Sequence, residues 1–143
     1  MHSSHHLLLL LWPPLLLLVA TSDPTVALTE EEKSFMVDAH NMYRTQTNPP
    51  AANMLKMRWD ENLAKLAMDY AKLCVWAHNP KRGRLGENLF AIAGDSLDMQ
   101  MAISEWHREQ HFFNFTTGSC QSGQMCGHYT QVHSGLGRAR MEP

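Results

Sequence analysis

The chain begins with an apolar leader, and the kind of leader it is decides where the rest of the chain folds. Leucine-rich runs at residues 7–11 and 15–20 are separated by two prolines, so the segment is too short for a bilayer span of about 20 apolar residues. Thr25 and Ala27 are small residues at the minus-three and minus-one positions of a cleavage site. The pattern predicts a signal peptide over residues 1–27 and a secreted, extracellular protein. An uncleaved anchor and a misassigned start are the alternatives.

The remainder is a single, nearly neutral domain. A chain of 143 residues has room for one domain at most. Without the leader it keeps all 12 basic side chains and loses only Asp23 from its 14 acidic ones. This balance gives no electrostatic basis for binding nucleic acid or an anionic membrane surface. We expect no nucleic-acid partner and no membrane span in the mature chain.

Three cysteines make an odd number, so an oxidising compartment leaves one thiol without an internal partner. Cys120 and Cys126 are close enough in sequence to close a small loop by a disulfide, which leaves Cys74 unpaired. The alternative is three reduced, buried cysteines.

Helix-start signals divide the mature chain. Thr29 and Glu32 form a capping-box pattern, which predicts a first helix running to about Arg44. A second helix starts at Asp60. Its apolar stripe, which we expect to pack in the core, comprises Leu63, Leu66, Ala67, Tyr70, Ala71 and Cys74.

The second half of the chain alternates loops with short elements. Residues 88–92 are apolar enough for a short strand, and Asp95 or Ser96 could cap a third helix over residues 97–111. A last helix is expected from His128 onward. Asn114 begins the chain's one N-glycosylation sequon, which predicts a surface loop.

Four titratable residues lie in separate elements and form a site only if the fold brings them together. They are His78, Glu87, Glu105 and His128. Two imidazoles and two carboxylates suit a divalent metal such as zinc, or a group that activates water by acid/base chemistry. Taken singly, each is typical of a solvated surface residue.

Other catalytic motifs are incomplete. His107 and His111 share a helical face, but Arg108 stands where a zinc metalloprotease has its glutamate, so a solvated histidine pair is expected. The sequence contains no Gly-x-Ser-x-Gly nucleophile elbow.

Several segments together carry a family resemblance. The most characteristic is the run from Gly127 to Val132. In order along the chain, the others are residues 28–33, 40–44, 57–60, 74–79, 86–90 and 105–106. Together they resemble the CAP superfamily of cysteine-rich secretory proteins, antigen 5 and plant pathogenesis-related 1 proteins. The resemblance covers residues 28–132 and implies an α+β fold, an α-β-α sandwich with a central cleft.

The resemblance also implies roles for particular residues. It places His78, Glu87, Glu105 and His128 as a tetrad in the cleft, which in several relatives binds zinc or another divalent ion. Members of the family also bind sterols or other lipids.

The family pattern stops after Val132, and residues 133–143 form a divergent tail without apolar alternation. The resemblance therefore implies a partial domain that lacks its C-terminal strands, and it places the partner of Cys74 in the missing part. A further hypothesis is that this truncated isoform has no stable fold.

These patterns favour a secreted, non-enzymatic binding protein. Its expected role is to inhibit a serine protease or to regulate extracellular growth signalling, with an extracellular protein or a lipid as partner. The alternative is a metal-dependent hydrolase built on the tetrad.

Overall fold

The computed structural model describes residues 28–93 and 98–134. Within them the chain forms α-helices, a short 3₁₀ helix and one antiparallel hairpin. In chain order these are α1 (Glu30–Arg44), α2 (Glu61–Ala71), α3 (Met99–Arg108), the 3₁₀ helix (Glu109–Phe112), β1 (Phe113–Asn114), β2 (Ser119–Cys120) and α4 (Gly127–Val132). The hairpin register pairs Phe113 with Cys120 and Asn114 with Ser119. The predicted signal peptide and residues 135–143 lie outside the described residues.

Helix α1 begins as the sequence predicts. The Thr29 hydroxyl accepts the Glu32 backbone N–H at 3.2 Å, and the Glu32 carboxylate accepts the Thr29 backbone N–H at 2.7 Å. This reciprocal pair satisfies two backbone donors that a helix start leaves free. The helix ends at Arg44, which confirms the predicted bounds.

The core lies where α1, α3 and α4 pack against one another. Its buried apolar residues are Ala39, Ala102, Ile103, Cys126, Tyr129 and Val132. Ile103 on α3 is completely buried, so α3 is the central helix of this group.

Arg44 ties the end of α1 to the end of α4. Its buried guanidinium donates to the Val132 carbonyl at 2.6 Å and to the Ser134 carbonyl at 3.0 Å. His133 adds a ring nitrogen 3.3 Å from the Tyr43 carbonyl. Packing therefore continues past Val132 and includes His133 and Ser134.

Helix α3 starts later than predicted. Asp98 is its N-cap, because the Asp98 carboxylate accepts the Met101 backbone N–H at 2.9 Å. The choice of Asp95 or Ser96 as the cap is therefore wrong, and both residues lie outside the described residues. The α-helix ends at Arg108, after which the chain tightens into the 3₁₀ helix.

The predicted strand over residues 88–92 is also wrong. Asn88 donates its side-chain amide to the His128 carbonyl at 3.2 Å, and the Leu89 carbonyl accepts the Trp106 indole N–H at 3.1 Å. An apolar run becomes a strand only beside another strand. In the described part of the chain, the β1–β2 hairpin is the only sheet.

Helix α2 forms from Asp60 as predicted, but its stripe does not reach the core. No residue of α2 is buried, and Cys74 lies beyond the end of the helix with a left-handed φ of 51°. Tyr70 and Ala71 instead line an open apolar groove of about 500 Å³ between α2 and α3. Periodicity predicts an amphipathic helix, whereas burial also requires a neighbouring layer.

The cysteine pattern matches the prediction. Cys120 and Cys126 form a disulfide, and Cys74 is a free, exposed thiol. Asn114 is exposed in the hairpin, and its glycosylation stays a prediction. Among the described residues, every helix is too short or too polar to span a bilayer.

Candidate functional site

A cleft of about 730 Å³ lies between the loop after α2 and the start of α4. His78, Glu87 and His128 line it, so the fold brings these predicted site residues to one place. Trp76 and Met125 form apolar walls and are 70% and 65% exposed. The cleft therefore combines two histidine side chains with exposed apolar surface.

His78 is held by Glu87. The Glu87 Oε1 atom lies 2.8 Å from His78 Nδ1 and accepts the Asn79 backbone N–H at 2.9 Å. Because a carboxylate only accepts hydrogen bonds, Nδ1 carries the hydrogen and Nε2 is left for a ligand.

His128 is held in the same way by Glu109. Glu109 Oε1 lies 2.7 Å from His128 Nδ1, and Glu109 Oε2 accepts the backbone N–H groups of His128 and Tyr129 at 2.9 and 3.2 Å. The 3₁₀ helix supplies the carboxylate, and α4 supplies the ring and both amides. The Trp106 ring also stacks against His128, with centroids 6.3 Å apart.

Glu105 does not have the position predicted for it. Its carboxylate accepts from the Arg108 guanidinium, 3.0 Å from Nε, and its side chain is 43% exposed. The Glu109 side chain is only 12% exposed and contacts His128. Glu109 is therefore the second glutamate of the site.

No local sequence pattern separates these two glutamates. They stand four residues apart, which on a continuous helix puts both on one face. The α-helix ends at Arg108, and the tighter turn that follows carries Glu109 towards α4. Only the packing of α3 against α4 distinguishes them.

The prediction that His107 is solvated is wrong, because the residue is buried, with 6% of its surface exposed. Its ring stacks on Tyr43 at 4.2 Å between centroids, and its Nδ1 atom has no hydrogen-bond partner among the described residues. Burial, with smaller effects from His133 and His111, lowers the pKa of His107 from 6.5 to about 4. His111 is exposed, as predicted.

The fit of a metal to this site depends on Nε2 of His78 and His128. Both carboxylates are engaged with Nδ1 atoms, an arrangement that metal-binding proteins use to orient histidine ligands. Across residues 28–93 and 98–134, no three His, Cys, Asp or Glu side chains are gathered to hold an ion. The imidazoles suit zinc, and zinc binding stays a prediction.

Comparisons with known proteins define the class. A sequence profile of the CAP family, the cysteine-rich secretory protein family, matches residues 37–135. The chain belongs to this family, which confirms the resemblance seen in its sequence.

Individual members of the family share high sequence identity with this chain. Peptidase inhibitor 16 of Bos taurus is 62% identical over 109 residues, covering 76% of this chain and 24% of the relative. Peptidase inhibitor 16 of Homo sapiens is 57% identical over 112 residues, covering 78% of this chain and 24% of the relative. The chain thus spans about a quarter of the length of these curated relatives.

A solved structure supports the fold. Venom allergen-like protein 4 of Schistosoma mansoni is 24% identical and superposes with a TM-score of 0.62, covering 76% of this chain and 74% of that chain. The predicted α+β fold of the CAP type is confirmed, with helices and a small, incomplete sheet in the described residues.

Proposed function

We propose that this chain is a secreted, non-enzymatic CAP-domain protein that inhibits an extracellular serine protease through the cleft beside His78 and His128. Regulation of an extracellular growth signal is the broader form of the same role. The name of the peptidase inhibitor 16 relatives supports a protease target. A lipid partner remains a second prediction from the family resemblance.

One observation carries the proposal, namely the exposed apolar surface in the wall of the cleft. Trp76 and Met125 offer exposed apolar surface of the kind that anchors protein interfaces. The sequence has no Gly-x-Ser-x-Gly elbow, and Cys74, the free thiol of the described residues, lies outside the cleft. Both features favour binding over nucleophilic catalysis.

The test is inhibition of a panel of secreted serine proteases by the purified protein. Trp76→Ala removes the aromatic part of the apolar walls and leaves Met125 in place, and Phe115→Ala removes an aromatic residue of similar exposure that does not line the cleft. We expect at least one protease to be slowed, with inhibition lost in Trp76→Ala and kept in Phe115→Ala. If no protease is slowed, the inhibitor proposal is wrong.

A second candidate function is a metal-dependent hydrolase, favoured by the carboxylate-held imidazoles of His78 and His128. Zinc would supply a polarised water, while Glu87 and Glu109 keep the two Nε2 atoms available. Zinc titration of wild type should show binding that is lost in the His78→Ala, His128→Ala double variant. The exposed residue His111 provides the control variant, His111→Ala. Equal zinc affinity in all forms would rule out a metal site at His78 and His128.

A further inference from the structure

Two arginines line the cleft, and a lysine stands beside them in the chain. Arg82 and Arg84 line it directly, and Lys81 immediately precedes Arg82 in the turn before. Gly83 between the arginines has a φ of 63°, which turns the chain there. We call Lys81, Arg82 and Arg84 the basic rim.

The basic rim has no acidic partner in the part of the chain that the structure describes. Arg82 donates to the Asn79 carbonyl at 3.1 Å, and neither Lys81 nor Arg84 forms an ion pair. The nearest carboxylate along the chain, Glu87, is engaged with His78. This positive cluster stands out in a chain whose formal net charge is −2.

From this charge and shape we infer that the cleft binds an acidic, apolar-flanked segment of an extracellular protein. The inference rests on the proposed function and names the chemistry of its partner. Carboxylates of the segment would pair with the basic rim, where arginine can bind them through two parallel hydrogen bonds. Apolar side chains of the same segment would cover Trp76 and Met125.

The apolar walls favour a peptide over a sulfated glycan. A glycan would use the cations, but it offers no aliphatic or aromatic groups to cover a wall formed by Trp76 and Met125. Charge complementarity would guide the encounter, and the apolar contacts would hold the complex. A peptide in which glutamates alternate with leucines reproduces both features.

The experiment is fluorescence anisotropy with that peptide, fluorescein-labelled, and with its glutamine analogue. The double variant Lys81→Gln, Arg84→Gln removes two exposed cations of the basic rim. It spares Arg82, whose guanidinium donates to the Asn79 carbonyl within its own turn. Lys56→Gln, Arg58→Gln is the matched control, because these two residues are also exposed and lie away from the cleft. A heparin-derived oligosaccharide of matched charge is measured in parallel.

We expect the rim double variant to weaken peptide binding about tenfold and the control double variant by less than about twofold, with binding falling as salt rises. Trp76→Ala should weaken it as well, and the glutamine analogue should bind poorly. Equal losses in both double variants, equal binding of the analogue, tighter binding of the oligosaccharide, or no peptide binding would each overturn the inference.

The outcome is separable from that of the proposed function. Peptide binding without inhibition of any protease would contradict the inhibitor proposal and leave the basic rim as a binding surface. Inhibition that is unchanged in the Lys81→Gln, Arg84→Gln variant would contradict the inference and leave the proposed function intact.

Discussion

Glu109 Oε1 lies 2.7 Å from Nδ1 of His128, while Glu109 Oε2 accepts two backbone N–H groups at the start of α4. One carboxylate thus fixes an imidazole of the cleft and the helix that carries it. Glu87 likewise holds the His78 ring and accepts the backbone N–H of Asn79. The cleft is built from this arrangement used twice.

Glu109→Gln should destabilise the fold, whereas Glu105→Gln should change it little. The first replaces a shielded carboxylate that accepts three hydrogen bonds, for an expected loss of about 2 kcal/mol in the free energy of unfolding. The second removes an exposed ion pair with Arg108. Urea unfolding of both variants compares them.

The pair of variants is matched in chemistry and lies on one stretch of chain. A larger loss of stability in Glu105→Gln than in Glu109→Gln would contradict the assignment of Glu109 to the site.

The sequence predicts the structure correctly where the determining interactions are local. The capping box of α1 closes between Thr29 and Glu32, and the disulfide joins Cys120 to Cys126 across a short loop. Both depend on residues a few positions apart, so spacing alone contains the information. The family resemblance added that His78, Glu87 and His128 meet in one cleft.

The sequence does not predict burial, pairing or side-chain position where these depend on a distant layer of the fold. The exposure of α2, the absent strand over residues 88–92 and the choice between Glu105 and Glu109 are all decided by neighbours far along the chain. His107 is a further case, since its burial against Tyr43 requires α1 and α3 to pack. The apolar face of a helix does not by itself predict which element will pack against it.

Acidification should destabilise the protein through His107. Burial lowers its pKa from 6.5 to about 4, so the unfolded chain binds the proton first. The contribution of His107 to stability is therefore fully present above pH 6.5 and is lost as the pH drops from 6.5 towards 4. The pKa values of His40 and His133 are also lowered by burial and act in the same direction.

His107→Phe tests this origin, because it keeps a ring against Tyr43 and removes the titrating group. Thermal melts at several pH values should show a smaller loss of stability on acidification than in wild type. Exposed His111→Gln is the control and should keep most of the wild-type dependence, because His111 has only a small effect on the pKa of His107. An unchanged pH dependence in His107→Phe would contradict the assignment.

The disulfide should stabilise the loop that leads into α4. Replacing Cys120 and Cys126 with serine is expected to lower the free energy of unfolding by about 2 kcal/mol, because a short closed loop restrains the unfolded chain.

Iodoacetamide should label Cys74 alone in the native protein, as read by mass spectrometry. Labelling at Cys120 or Cys126 would contradict the observed pairing.

The described core should melt as one unit, because α1, α3 and α4 share buried residues and Arg44 joins the ends of α1 and α4. Circular dichroism should show a single cooperative thermal transition. A gradual, non-cooperative loss of helix signal would instead favour the hypothesis of a truncated isoform without a stable fold.

The central claim is that Glu87 and Glu109 hold His78 and His128 with Nδ1 protonated and Nε2 free for a ligand. Side-chain ¹⁵N NMR measures this directly when recorded at mildly alkaline pH, where an ordinary histidine is neutral. We predict the Nδ1–H tautomer for both residues, with the Nε2 resonance of an unprotonated nitrogen. An Nε2–H tautomer at either histidine would contradict the account.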